Sequence, residues 1–162
     1  MKNDKNIKNT IQLTKQGFQE LQEELNELVN EKLPVVVKRI SVAREKGDLS
    51  ENTEYQNAKE DKEIIDARIS EIEDVIKRAE VVTKTRSKTQ IGVGSEVVIY
   101  PKNKKSEKMK ILIVGEFEGD VDEGKISAVS PVGEALVKKK QGDEVTVKAP
   151  AGEVIYVIES VK

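Results

Sequence analysis

The chain has 162 residues, a formal net charge of −2, and neither Cys nor His. This composition excludes disulfide frameworks, thiol catalysis and the usual Cys or His zinc sites, and the small negative charge argues against a protein that holds nucleic acid by bulk electrostatics. Charged residues make up 36% of the chain and aromatic residues 3%, so extended elements with wide solvated faces are expected in place of one large core. A metal site would have to be built from Asp and Glu oxygens, which suit Mg²⁺.

The N-terminal stretch MKNDKNIKNT carries lysines but no apolar core, so we do not expect it to be a signal peptide. No stretch approaches the roughly 20 apolar residues that a membrane span needs. The sequence therefore predicts a cytoplasmic protein without a membrane partner.

A first helix is predicted from Leu13, with Thr14 as its N-cap. Apolar residues then recur at spacings of three and four, which is typical of a heptad seam. They are Phe18, Leu21, Leu25 and Leu28. Pro34 predicts a kink or short break near Leu33, because proline lacks an N–H donor and clashes with the preceding turn. The stripe restarts out of phase at Val36, Ile40 and Ala43.

Gly47 is expected to end this helix, and a second helix is predicted to begin near Asp48 or Ser50. Its apolar stripe keeps the alternating spacing throughout: Tyr55, Ala58, Lys62, Ile65, Ile69, Ile72, Ile76 and Ala79. Because the connection is short, the two helices must be antiparallel. Residues 1–80 are thus predicted to form a coiled-coil hairpin with its tip at 47–52, and a self-paired hairpin leads us to expect a monomer.

The helical pattern lapses at residues 81–88, VVTKTRSK, which are predicted to be a linker. Alternating apolar residues bounded by Gly, Pro or charges then predict several strands within 89–162. The stretch SPVGEALVKKK predicts one short helix, capped by Ser130 with Pro131 in its first turn. The predicted fold class is therefore α+β in two domains, a helical hairpin followed by a small antiparallel sheet with one helix.

Two carboxylates, Asp48 and Glu51, lie three positions apart at the predicted tip. One interpretation is a capping box, in which each side chain bonds a backbone N–H at the start of the second helix. The other is a chemical role, since counting back from Tyr55 by four and then three residues reaches both acids and carries the seam beyond the end of the hairpin. Two carboxylates are too few to hold Mg²⁺ well alone, so a partner would have to supply further ligands. The residue pattern leaves both interpretations open.

Three stretches resemble a known family: LTKQGFQELQEEL at 13–25, AREKGDLSENTEYQNAKE at 43–60 and SPVGEALVKKKQGDEVTVKAPAGEVIYVIE at 130–159. Together they are similar to the bacterial transcript cleavage factors, the Gre family, over nearly the whole chain. The resemblance implies that an FKBP-like C-terminal domain docks on bacterial RNA polymerase while the coiled coil enters the secondary channel. There the factor stimulates the polymerase's own cleavage of backtracked nascent RNA. It is not a nuclease by itself and has no cofactor beyond the Mg²⁺ of the polymerase active site.

By the same resemblance, Asp48 and Glu51 match the two acids that stabilise the second Mg²⁺ and orient the attacking water. Arg44, Lys46 and Lys59 lie near the tip and could hold the RNA 3′ segment or the channel wall. A solvated helical face is an equally good interpretation of these three cations.

Ser130 and Pro131 are candidates for a polymerase-docking contact, or simply for the start of a helix. Three functions stay open: a factor that lends carboxylates to the polymerase, a related channel binder that inhibits it, and a structural coiled-coil adapter. The intact acidic tip favours the first. Residues 1–80 contain 14 Lys or Arg against 18 Asp or Glu, and this acidic balance favours the GreA type over the GreB type.

Overall fold

The structure is a computed structural model that describes residues 10–45, 53–82, 90–149 and 152–162. These residues fall into two compact units. Gln19–Arg78 is one, and the described parts of Met1–Phe18 and Ala79–Lys162 together form the other. Within the described ranges, no helix is both long enough and apolar enough to span a membrane.

The first helix, α1 (Lys15–Glu27), begins directly after Thr14. The Thr14 hydroxyl oxygen accepts a hydrogen bond from the Gly17 N–H at 3.0 Å, which satisfies a donor that the first helical turn leaves free. The prediction of Thr14 as N-cap is confirmed. The helix begins at Lys15, as an N-cap at Thr14 predicts, and Leu13 and Thr14 also belong to a strand.

Helix α1 continues through a π-helical segment (Leu28–Lys32) into α2 (Leu33–Glu45). In this segment the Leu33 N–H donates to the Leu28 carbonyl, five residues back. Pro34 follows at once, so the predicted break is a widened turn. A wider turn relieves the clash between the proline ring and the preceding carbonyls, and it absorbs the missing N–H donor.

The widened turn shifts the buried face of the helix by one residue. Leu28 and Val36 are both 6% exposed although they are eight residues apart. Val35, which a seven-residue repeat would bury, is 60% exposed. The predicted change of phase after Pro34 is therefore confirmed, and the extra residue of the π turn is its cause.

Helix α3 (Thr53–Arg78) packs against α2 as the second arm of a hairpin. Its predicted seam is buried or half-buried along its whole length within the helix. Ion pairs fix the direction: Arg39 of α2 reaches Glu54 at the start of α3, whereas Arg68 near the end of α3 reaches Glu24 of α1. The arms are antiparallel, which confirms the predicted hairpin.

A short parallel ladder joins the segment before α1 to the segment after α3. Strand β1 (Ile11–Thr14) pairs with β2 (Ala79–Val82), which follows α3 directly. This differs from the prediction, which placed residue 79 in the helix and residues 81 and 82 in the linker. Pairing with β1 outweighs the helical pattern here, because β-branched residues are common in both strands and Leu13 of β1 is fully buried. The predicted linker residues 83–88 lie outside the described residues.

The rest of the second unit is a five-stranded sheet with the order β5-β4-β3-β7-β6. Its strands in chain order are β3 (Glu96–Pro101), β4 (Met109–Val114), β5 (Lys125–Ser127), β6 (Glu144–Ala149) and β7 (Gly152–Val161). The prediction of a wholly antiparallel sheet is wrong for one pair, since β4 and β5 are parallel. Residues 115–124 carry the chain back along β4 before β5 begins, which is the crossover that parallel pairing needs.

One short helix, α4 (Pro131–Leu136), covers the core of the sheet, as predicted. Aliphatic side chains from four strands, from the helix and from the segment that precedes β3 form this core: Ile91, Val97, Ile99, Ile111, Ile113, Leu136, Val145 and Ile158. The α+β class, with a helical hairpin and a sheet module carrying one helix, is therefore confirmed. The FKBP-like arrangement of the module stays a prediction.

Candidate functional site at the end of the hairpin

The two arms of the hairpin meet the candidate tip at Glu45 and Thr53. Asp48, Glu51 and Lys46 lie between these ends, outside the described residues. The ends of α2 and α3 on either side of residues 46–52 form a frame for the candidate tip.

Arg39 is the main polar contact of this frame. Its Nη2 and Nε atoms lie 2.9 and 3.1 Å from Oε1 of Glu54, and its Nη1 lies 2.7 Å from Oδ2 of Asp61. The hydrogen bonds that Arg39 donates to Asp61 and, with a smaller effect, to Glu54 raise the pKa of Arg39 above its ordinary value. One guanidinium thus joins α2 to two carboxylates that are seven residues, about two turns, apart on α3.

Arg44, one of the predicted RNA or channel contacts, lies over the ring of Tyr55 with 5.9 Å between its Cζ atom and the ring centroid. Such a cation–π contact orients the guanidinium, while the side chain remains exposed. Lys59 is also exposed, and its Nζ atom lies 3.8 Å from Oε1 of Glu63 on the next turn of α3. Both residues are therefore accessible, and their proposed contacts stay predictions.

A second arginine joins the arms at the other end of the hairpin. Arg68 donates from Nε and Nη2 to the two carboxylate oxygens of Glu24, at 2.7 and 2.8 Å, and from Nη1 to Glu71 at 2.6 Å. The hydrogen bond from Arg68 lowers the pKa of Glu24, against a smaller opposing effect of burial. This forked pair is a counterpart of the Arg39 contact, and Arg68 lies about 20 Å from Glu54 and about 10 Å from Asp61 along α3.

Ser130 and Pro131, the candidate docking residues, form the start of α4. The Ser130 hydroxyl accepts from the Gly133 N–H at 3.1 Å and donates to the Ser127 carbonyl at 2.7 Å. Pro131 is exposed in the first turn. The prediction of a capped helix start is confirmed, whereas docking stays a prediction. Val129, 55% exposed beside them, adds an apolar surface that the sequence pattern did not single out.

Glu118 forms a contact that sequence reasoning missed. Its Oε1 atom accepts from the backbone N–H groups of Thr14 at 2.8 Å and Gly115 at 3.2 Å, and its Oε2 atom accepts from the Thr14 hydroxyl. A Cβ atom on Gly17 would lie 2.0 Å from Oε2 of Glu118. The first turn of α1 is therefore held by a carboxylate that comes from the loop after β4.

Metal-binding potential is limited in the described part of the chain. No group of three or more Asp, Glu, His or Cys residues there could hold a metal ion. The donor chemistry of Asp48 and Glu51 suits Mg²⁺, but two side chains provide only part of its octahedral shell. A shared metal site at Asp48 and Glu51, completed by another molecule, therefore stays a prediction.

Comparison with known proteins decides the family. Residues 11–81 match the GreA/GreB model described as "Transcription elongation factor, N-terminal", and residues 86–162 match the C-terminal model of the same family. The chain belongs to the GreA/GreB family of transcription elongation factors. The resemblance seen in the sequence is confirmed, and the protein is a transcription elongation factor.

Relatives within the GreA/GreB family match almost end to end. The chain is 43% identical over 157 residues to transcription elongation factor GreA of Trichlorobacter lovleyi, covering 96% of this chain and 99% of the relative. It is 39% identical over 152 residues to GreA of Paracoccus denitrificans, with 94% and 97% covered. Among solved structures, GreA factor homolog 1 of Thermus thermophilus is 29% identical, with a TM-score of 0.44 and coverage of 94% of this chain and 99% of that one.

Proposed function

We propose that this transcription elongation factor acts on bacterial RNA polymerase as a transcript cleavage factor. It binds as a monomer, passes the hairpin end into the secondary channel, and stimulates the polymerase's own cleavage of backtracked nascent RNA. The observation that carries the proposal is the hairpin itself: two antiparallel arms present residues 46–52, with Asp48 and Glu51 among them, at their shared end. Membership of the GreA/GreB family supports the same role.

The role of Asp48 and Glu51 follows from their chemistry. Their oxygens would share the Mg²⁺ of the polymerase active site and orient a water molecule by accepting its hydrogen bonds. When bound, Mg²⁺ lowers the pKa of coordinated water and stabilises charge on the phosphodiester oxygens. Because the factor supplies two ligands and the polymerase the others, the factor has no nuclease activity and no cofactor of its own.

Cations near the tip would position the RNA. Arg44, whose guanidinium is oriented by Tyr55, can donate to a phosphate of the RNA 3′ segment or to the channel wall, and Lys59 is exposed for the same purpose. Lys46 is assigned the same role from its place in the sequence. The sheet module would dock outside the channel at the start of α4, where Pro131 and Val129 are exposed beside the capping Ser130.

The test is a stalled, backtracked elongation complex with labelled RNA and Mg²⁺. We expect Asp48→Asn or Glu51→Gln to lower the rate of stimulated cleavage about 100-fold or more, since each removes a charged metal ligand. Glu60→Gln, which removes an exposed carboxylate from α3, serves as the matched control and should retain the rate. Competition for the polymerase should show all three variants binding nearly as the parent chain does.

The same assay separates the other functions. Unchanged cleavage with both tip variants would contradict the proposed chemistry. A factor that slows elongation and releases no RNA fragment would be an inhibitor, and a factor without affinity for polymerase would be a structural adapter. Release of fragments of a few nucleotides is expected for the GreA type, and longer fragments would indicate the GreB type.

A further inference from the structure

The hairpin loses apolar packing toward the candidate tip. Farther from the tip the buried seam residues are large, such as Leu28 and Ile72, but the last fully buried residues before the described arms end are Ala43 and Ala58. An alanine side chain buries about one methyl group, so it contributes far less to helix pairing than leucine does. A surface groove of about 730 Å³ runs beside Arg39 and is lined in part by Val42 and Glu54.

Polar contacts therefore have to hold the last turns together. We propose that Arg39 is a positioning residue for the tip: by pairing with Glu54 and Asp61 it fixes the first turns of α3 against α2 and so holds in place the two helix ends, Glu45 and Thr53, that residues 46–52 connect. This inference rests on the proposed function for its effect on cleavage. Arg39 lies six residues, about 9 Å, before the end of α2, and Glu54 is the second residue of α3.

The two pairs act together although each is exposed. An isolated surface ion pair contributes little, because solvent screens it and both side chains lose freedom. Here one planar guanidinium makes three hydrogen bonds to carboxylates two turns apart, so a single rigid group restrains both turns. Small displacements of catalytic groups have large kinetic effects, so even a modest restraint matters at the tip.

The first test uses Arg39→Gln with two matched controls. Arg68→Gln removes the equivalent forked contact about 20 Å from Glu54 along α3, and Lys38→Gln removes an exposed charge next to Arg39. In the stalled-complex assay, we expect Arg39→Gln to lower the maximal cleavage rate about fivefold, with less than a twofold change in the factor concentration for half-maximal rate. Arg39→Lys, which keeps the charge but not the fork, should recover part of the loss, and both controls should retain the rate.

A second measurement works on the free protein and does not depend on cleavage. Amide hydrogen exchange at Asn57 and Ala58, whose N–H groups close the first turns of α3, should accelerate about threefold in Arg39→Gln and stay unchanged in Arg68→Gln. We call the contacts of Arg39 with Glu54 and Asp61 the Arg39 clamp. If the tip variants leave cleavage unchanged but Arg39→Gln accelerates this exchange, the proposed function is wrong, while the Arg39 clamp still stands. Equal exchange in both arginine variants would overturn the clamp itself.

A third variant separates positioning from direct contact with RNA. Glu54→Gln weakens the contact between Arg39 and Glu54, leaves the contact with Asp61 in place, and makes Nε and Nη2 of Arg39 more available to a phosphate. If Arg39 positions the tip, this variant should lower the maximal rate as Arg39→Gln does. If Arg39 acts by touching RNA, Glu54→Gln should keep or raise the rate, and that result would refute the inference.

Discussion

Replacing Gly17 by alanine should change the free energy of unfolding, and the residue at position 118 should decide whether the change is destabilising or stabilising. In a helix, Gly→Ala ordinarily stabilises by about 1 kcal/mol, because alanine loses less backbone entropy on folding. In this chain the new Cβ atom would lie 2.0 Å from Oε2 and 2.1 Å from Cδ of Glu118. The glutamate must therefore swing away and give up its bonds to Thr14 and Gly115.

The magnitude follows from those bonds. A hydrogen bond to a charged group contributes about 1.5 to 3 kcal/mol when well shielded, and Glu118 is only half-buried, so we take about 1 kcal/mol for each of three. Losing about 3 and gaining about 1 leaves Gly17→Ala destabilised by about 2 kcal/mol. For a chain of this size, that corresponds to roughly 5 °C in the melting temperature.

The assay is a double-mutant cycle followed by thermal unfolding. Gly17→Ala should destabilise the parent chain but stabilise the Glu118→Ala variant by up to about 1 kcal/mol, since the obstacle is then gone. Glu116→Ala, in the same loop and exposed, provides the matched background in which Gly17→Ala should still destabilise. If Gly17→Ala stabilised the parent chain, or cost the same in every background, the assigned contact would be wrong.

Two further predictions concern each unit separately. Gly133→Ala should cost about 3 kcal/mol or more in denaturant unfolding, because its Cβ atom would lie 2.0 Å from the backbone oxygen of Ser127. Gly119→Ala, whose Cβ atom meets Ser127 at an ordinary 3.4 Å, is the control, and equal losses would contradict the steric argument. Glu24→Gln should lose up to about 1 kcal/mol at pH 7 after allowance for solvent screening. Its deficit should vanish as the pH falls below 4.5 through the lowered folded-state pKa of Glu24, because the parent chain then loses the charged pair with Arg68; a deficit independent of pH in melting curves would oppose this assignment.

The sequence predicted the elements whose patterns are local. The hairpin follows from apolar spacing, the N-cap from Thr14 and the start of α4 from Ser130 followed by Pro131, and each needs only a few neighbouring residues to be recognised. The phase change after Pro34 was also predictable, because proline has one steric consequence in a helix.

Features that depend on distant residues were not predictable. The β1 and β2 strands have four residues each and pair across the whole helical segment. Because each strand is short and adjoins a helix, the sequence around it carries no local pattern that predicts a strand. The bonds between Thr14 and Glu118 join residues 104 positions apart. The sequence carries a weak signal for the Arg39 clamp, since Glu54 and Asp61 share a heptad position on α3. Which cation on the opposite arm contacts them could not be predicted without knowing how the two helices pair.

The π segment is a place in the hairpin where the chain can lose one residue without changing which side chains are buried. Buried positions on either side of it, Leu28 and Val36, are eight residues apart where seven would continue the repeat, and the widened turn absorbs the surplus residue. Shortening the chain by one residue within Leu28–Lys32 would turn that spacing into an ordinary heptad and leave the same side chains facing α3. A single-residue deletion at this turn therefore keeps the buried face in register, whereas an insertion or deletion elsewhere in either arm would rotate every following buried side chain by about 100°.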